Sequence, residues 1–158
     1  MSRPSILLVD DDPGHLLVAR RAIDRAGLPV DVLAAEGPDA ALALLGLSGT
    51  SIGRPSFAVV FLDISMPGLT GWGVLERIRA NEGTRRIPVV MVSSSNRQED
   101  VRRSYDLGAN GYVVKRVDQG PPGDYVAEAA RYWLLFNERP CGRHGSPPVV
   151  GHRSAEEA

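Results

Sequence analysis

The chain has 158 residues, 43% of them hydrophobic and 23% charged, which suits one soluble domain able to bury a core. Eighteen basic against nineteen acidic side chains leave a net charge of −1, so the balance argues against a nucleic-acid or membrane surface. The single thiol, Cys141, cannot form an internal disulfide, and the N-terminus has no long apolar stretch; both predict a cytoplasmic protein.

Short apolar runs alternate with stretches of helical period, which predicts a parallel sheet covered by helices. Strands are expected at Ser5 to Asp10, Val30 to Ala35, Phe57 to Asp63, Ile87 to Ser93 and Gly111 to Lys115. Three of them lack polar alternation, as strands buried on both faces do.

The first helix is expected to open on Asp12 as N-cap with Pro13 at its first position, and to end at Gly27. It turns Leu16, Ala19, Ile23 and Ala26 to one face, with His15 on its surface. A second helix, about Pro38 to Leu45, is poorly capped and runs into a Gly- and Ser-rich loop from Gly46 to Gly53, where mobility is expected. The third, about Thr70 to Asn81, points Val74, Leu75 and Ile78 inward but is weakened by Gly71 and Gly73.

Asn96 and Glu99 resemble a capping box for a fourth helix ending near Gly108. A fifth, about Pro122 to Asn137, carries Tyr125, Ala129, Tyr132 and Phe136 on one stripe, flanked by Val126 and Trp133. That face is broader than a sheet requires, which leaves a homodimer surface open as a second role. Residues 1–139 are expected to form the domain, and residues 140–158, without period or apolar density, a disordered tail too short for an output domain.

Two apolar runs end in carboxylates: Ile6 to Val9 in Asp10, Asp11 and Asp12, and Phe57 to Leu62 in Asp63. Ligands of open parallel sheets bind outside the strands' carboxyl ends, so Asp10, Asp11 and Asp63 are expected to converge there. Converging carboxylates repel unless a cation joins them, and hard oxygen ligands suit Mg²⁺. Two further strand ends offer hydroxyls, at Ser93, Ser94 and Ser95, and a cation, at Lys115. Phosphoryl transfer asks for an in-line nucleophile, a metal and donors that neutralise the moving oxygens, and Asp63 can be that nucleophile.

Val9-Asp10-Asp11, the run from Leu62 through Ser65-Met66-Pro67-Gly68 to Gly71, Val92-Ser93 and Gly111 to Lys115 together resemble the receiver domain of two-component response regulators. The resemblance spans roughly Ser5 to Asn137. It implies a flavodoxin-like, doubly wound five-stranded parallel sheet in the order 2-1-3-4-5, with helices on both faces. It also implies Asp63 as phosphoacceptor, Asp10 and Asp11 with the backbone carbonyl of Ser65 as Mg²⁺ ligands, and Lys115 paired with the phosphoryl oxygens. Ser93 and Tyr112 become the switch pair, and a sensor histidine kinase the phosphoryl donor. The domain is then a signalling protein rather than an enzyme, limited to its own phosphotransfer and dephosphorylation.

Arg116 departs from the pattern, which has a proline in a cis peptide after the lysine. A non-proline cis bond costs about 2.5 to 4 kcal/mol, so a trans bond with a shifted loop, or a strained bond, is expected here. A finer similarity, through Thr84 to Val90 and Tyr132 to Pro140, is to the single-domain regulators that accompany bacterial phytochromes.

Two other functions fit parts of the pattern. A Mg²⁺-dependent phosphohydrolase of the haloacid-dehalogenase type would use Asp10, in its Asp-x-Asp pattern, as nucleophile; Pro13 and the lack of a cap region weigh against it. A receiver-like docking module would keep the fold without phosphotransfer. Flavin binding is disfavoured, since the acidic segment after the first strand repels a phosphate.

Overall fold

The computed structural model describes residues 3–49 and 56–140. Thr50 to Gly53 of the Gly46–Gly53 loop and all of the tail beyond Pro140, including Cys141, lie outside the described residues.

Five strands and five helices alternate: β1 (Ser5–Asp10), α1 (Pro13–Arg25), β2 (Asp31–Glu36), α2 (Pro38–Leu44), β3 (Phe57–Asp63), α3 (Gly71–Ala80), β4 (Val89–Ser93), α4 (Gln98–Asp106), β5 (Gly111–Val114) and α5 (Asp124–Leu135). The strands form one sheet in the order β2-β1-β3-β4-β5, every pair parallel. This is the doubly wound topology expected from the alternating pattern, and the strand order reverses between β1 and β3.

Successive side chains of a strand point to opposite faces. Leu7, Val9, Val60, Leu62 and Met91 accordingly pack against α2 and α3 through Leu42, Val74, Leu75 and Ile78. Ile6, Leu8, Val59, Phe61, Val90 and Val92 face α1 and α5, against Ile23, Val126 and Ala130. Both faces are therefore dry, and β1, β3 and β4 read as continuous apolar runs. Among the described residues no helix is long and apolar enough to cross a membrane.

The helix signals held at the N-terminus of α1, where the Asp12 carboxylate accepts from Gly14 N at 2.8 Å and Pro13 follows. Gly27, just past its end, takes φ +66°. Thr70 caps α3, and α2 has no side-chain cap, as expected.

Several boundaries moved. β2 starts at Asp31, one residue after Val30. β4 starts at Val89, because Pro88 has no N–H for the ladder and only its carbonyl is used, by Val60 N at 2.9 Å. Asn96 does not cap α4: the N-cap is Arg97 without a side-chain bond, and the Ser95 hydroxyl receives Arg97 N at 3.2 Å.

The buried face of α5 also differs from the expected stripe. Val126, Ala127 and Ala130 are buried, while Tyr132 and Phe136 are 53% and 73% exposed. Small residues set the contact, because they let α5 approach α1 closely; a Cβ on Gly123 would lie 2.8 Å from Val18 O. The large aromatics, which mark a face by hydrophobicity, are displaced to its rim.

Candidate functional site

The pairing of the strands builds the site. Val9 lies beside Leu62, Asp63 beside Val92, and Ser93 beside Val114, so the residues that end β1, β3, β4 and β5 share one rim. Lys115 follows β5 directly, and its N–H donates to Ser93 O at 2.8 Å. The rim opens into a cleft of about 410 Å³ lined by Asp10, Asp11, Asp12, His15, Asp63, Ser65, Ser93, Ser94, Ser95 and Lys115. All the expected site residues except Tyr112 therefore line one cavity.

Asp10 and Asp63 are each only 6% exposed, whereas Asp11 and Ser65 reach solvent. Carboxylate oxygens of Asp10, Asp11 and Asp63 lie within 4.8 Å of one another. Lys115 Nζ donates to Asp10 Oδ2 at 3.0 Å and lies 3.4 Å from Asp63 Oδ1. Asp12 N donates to the other Asp10 oxygen at 3.0 Å.

These contacts separate the two buried carboxylates. Burial alone pushes Asp10 up, but the Asp12 N–H and the Lys115 ammonium outweigh it and hold Asp10 below its ordinary value. Asp63 is pushed up to about 6, chiefly by burial, with Asp10's charge adding to the rise against the opposing pull of Lys115. Burial draws the Lys115 pKa down, yet Asp10 and Asp63 raise it above the ordinary lysine value, so it stays an ammonium.

Two close buried carboxylates and a third at the mouth, with Ser65 on the same lining, make a hard oxygen donor set open to water. That set fits Mg²⁺ better than a soft metal. With only one lysine between them, Asp10 and Asp63 are under-compensated, which is the electrostatic demand a divalent cation answers.

The Ser93 hydroxyl accepts from Ser95 N at 3.1 Å, which leaves its own proton for an acceptor in the cleft. Tyr112 stands outside the cleft, packed on the α3 side of the sheet, and its hydroxyl donates to Ser95 O at 2.9 Å. It thereby touches the loop that carries Ser93. The peptide after Lys115 is trans, as no peptide bond of the described residues is cis, and the lysine reaches both carboxylates with Arg116 in place.

His15 was missed as a cleft residue. Its Nδ1 lies 3.2 Å from Asp10 Oδ2 and 3.3 Å from Lys115 Nζ, and its Nε2 is 3.6 Å from Asp12 Oδ2. Side chains of a helix tilt toward its N-terminus, so a first-turn residue of α1 looks back at the acidic end of β1; the predicted cap at Asp12 carried that signal.

Sheet, reversal point and acidic, lysine-bearing cleft define a doubly wound α/β domain whose strand ends are built to hold a cation beside a carboxylate. Comparison with known proteins makes the class specific. The family model of the response regulator receiver domain matches residues 6–121, and the chain belongs to that family. It is thus a signalling protein of the two-component type.

The chain is 34% identical over 135 residues to the probable methanogenesis regulatory protein FilR2 of Methanothrix harundinacea, covering 85% of this chain and 86% of the relative. It is 30% identical over 129 residues to the response regulator Rcp1 of Synechocystis, covering 82% and 88%. Among solved structures, the phosphorylated cyanobacterial phytochrome response regulator RcpA superposes with a TM-score of 0.76 at 27% identity, covering 89% of this chain and all of that one.

Proposed function

We propose that Asp63 is the phosphoacceptor of a response regulator of single-domain type, receiving its phosphoryl group from a phosphohistidine of a sensor kinase. The observation that carries the reading is the placement of Asp63: buried, 3.4 Å from the Lys115 ammonium, and within the Asp10–Asp11–Asp63 cluster at the mouth of the cleft.

An Asp63 oxygen attacks phosphorus, a P–O bond forms as the P–N bond breaks, and the electron pair returns to the histidine ring of the donor. Asp10, Asp11, Asp63 and the Ser65 carbonyl would hold Mg²⁺, which when bound supplies positive charge against the carboxylates and the phosphoryl oxygens. Lys115 turns from Asp10 toward a phosphoryl oxygen, and the Ser93 hydroxyl donates to another. Ser93 shares its loop with the carbonyl that holds Tyr112, so a shift of that loop moves the tyrosine and alters the surface around α4 and β5. Asp63 is not a turnover catalyst here; its product stays on the chain.

The likeness to the phosphorylated cyanobacterial phytochrome response regulator RcpA supports a phytochrome-type kinase as donor. The exposed Tyr132, Leu135 and Phe136 at the end of α5 support a homodimer through that helix. We take the receiver unit to end near Arg139 and the protein to work in the cytoplasm, through protein contact, without a nucleic-acid or membrane surface. Asp10, already engaged by Asp12 N and Lys115 and close to His15, is poorly placed as a phosphohydrolase nucleophile.

The test is phosphotransfer from labelled sensor kinases, phytochrome kinases included, with Mg²⁺ present. Transfer of label to the wild-type chain and none to Asp63→Asn is expected. No transfer from any kinase, or label retained by Asp63→Asn, contradicts the reading.

A further inference from the structure

Ser95, two residues beyond the end of β4, engages all of its polar groups. Its N–H donates to Ser93 Oγ at 3.1 Å, its carbonyl accepts from Tyr112 at 2.9 Å, and its hydroxyl donates to Asp100 Oδ2 at 2.5 Å while accepting from Arg97 N at 3.2 Å. The bond to Asp100 is charge-assisted and short, which makes it the strongest link in the loop.

The chain of bonds does not stop there. The Asp100 carbonyl accepts from the Ser104 hydroxyl at 2.8 Å, and that hydroxyl accepts from Trp72 Nε1 at 2.9 Å. Ser104 is completely buried, and the Arg103 guanidinium lies 4.1 Å from the centre of the Trp72 ring. Two sets of hydrogen bonds, joined through the covalent frames of Ser95 and Asp100, therefore lead from Ser93 in the cleft, along the first two turns of α4, to an indole on α3.

We propose that Asp100 is a positioning residue for the phosphoryl site, acting through Ser95 on the Ser93 hydroxyl, and that the same chain of bonds carries the state of the cleft to Trp72. The proposal rests on Asp63 being the phosphoacceptor.

The Ser95 N–H occupies one lone pair of Ser93 and so fixes where its proton can point. Asp100 anchors Ser95 to α4, so the loop cannot follow Ser93 toward a phosphoryl group without pulling on the first turn of that helix. Ser104, one turn further on, moves with it, and its bond to Trp72 must lengthen or be remade. The coupling is mechanical: a shift of the loop at Ser93 displaces the backbone of Asp100 and with it the acceptor of Ser104. The loop is thus the element that joins the cleft to the α3–α4 contact.

Fluorine NMR of the full chain carrying 5-fluorotryptophan tests this, because Trp72 and Trp133 are its two tryptophans. Trp72→Phe assigns the signals, acetyl phosphate with Mg²⁺ is the probe, and intact mass follows phosphoryl gain in the same samples. Phosphoryl gain by the parent is expected to shift the Trp72 resonance. Asp100→Ala and Ser95→Ala are expected to gain the phosphoryl group, more slowly by about 5-fold, and to lose most of the Trp72 shift. Asp100→Asn, which keeps an acceptor for the Ser95 hydroxyl, should restore both in part; a residue with only a structural role predicts no such rescue.

A Trp72 resonance that stays put while mass shows the phosphoryl group overturns the relay and leaves the reading of Asp63 intact. So does an undiminished shift in Asp100→Ala. Absence of phosphoryl gain in the parent overturns both.

Discussion

The Lys115 ammonium nitrogen lies 3.4 Å from Asp63 Oδ1 while donating to Asp10 Oδ2 at 3.0 Å. One cation thus serves two buried carboxylates, and with Asp63 as the proposed phosphoacceptor it is the donor nearest the transferring group. Lys115→Met is expected to slow phosphorylation of Asp63 by a small phosphodonor about 10²-fold, the effect of losing one charge-stabilising donor. Lys115→Arg should recover only part of the rate, because a planar guanidinium cannot reproduce a point donor on both carboxylates. Time courses of phosphoryl gain by intact mass measure both.

The raised Asp63 pKa makes the stability of the Mg²⁺-free protein depend on pH. Folded Asp63 binds its proton up to about pH 6, whereas in the unfolded chain the group releases it near 3.8. The folded state therefore holds more protons between these values, and stability falls as pH rises through that window. The penalty is fully present above it and is on the order of 2–3 kcal/mol. Asp10 has the opposite sign: its pKa lies below 3.8, so its contribution is present above that value and lost as pH falls. Asp63→Asn should raise stability near pH 7 by that order and flatten the profile between pH 4 and 6. Urea unfolding at several pH values measures it.

Magnesium should remove the same penalty. At 100 times its dissociation constant a ligand of the folded state adds about 2.7 kcal/mol. The gain in unfolding midpoint with Mg²⁺ is expected for the wild-type chain and absent from Asp10→Asn and Asp63→Asn, with Asp11→Asn intermediate because Asp11 is exposed. A thermal scan with and without Mg²⁺ at pH 7 decides it.

Gly71 and Gly73 predict opposite outcomes on one helix. A Cβ on Gly71 would lie 2.1 Å from the backbone oxygen of Asp63 itself, while one on Gly73 would meet only the movable Leu69 side chain, at 2.3 Å. Gly71→Ala should destabilise by about 3 kcal/mol and displace the backbone of Asp63. Gly73→Ala should be close to neutral, since a gain in helix propensity of about 1 kcal/mol offsets the adjustment of Leu69. Urea midpoints of the two variants provide the comparison.

Arg79 holds together the connections around α3, β4 and β5. Its guanidinium donates to Gly108 O at 2.9 Å, Arg85 O at 3.0 Å, Ile87 O at 2.8 Å and Asn110 Oδ1 at 2.7 Å. Arg79→Ala strands these acceptors and should cost about 3 kcal/mol, with Arg79→Lys recovering less than half because its three donors cannot span the set. Denaturation of both variants measures the difference.

The apolar runs that end in Asp10 and Asp63 made the sheet and the convergence of its strand ends legible in the sequence, because a strand buried on both faces carries no polar alternation. The first cap was equally plain, as Asp12 and Pro13 act locally. What escaped depends on packing across the chain. Arg79 looks like any exposed helix arginine until Gly108 and Asn110 arrive from a distant loop. The α5 face is set by Ala127 and Ala130, whose small size, not their hydrophobicity, admits α1. Ser95 took the role expected of Asn96 because its hydroxyl also reaches Asp100, a choice fixed by the tertiary course of the loop.

The most direct measurement is intact mass with site mapping after exposure to a small phosphodonor and Mg²⁺. Gain of one phosphoryl group, mapped to Asp63 and absent from Asp63→Asn, is expected. Phosphoryl gain at Asp10 or in Asp63→Asn, or no gain in a folded wild-type chain that binds Mg²⁺, would contradict Asp63 as the phosphoacceptor.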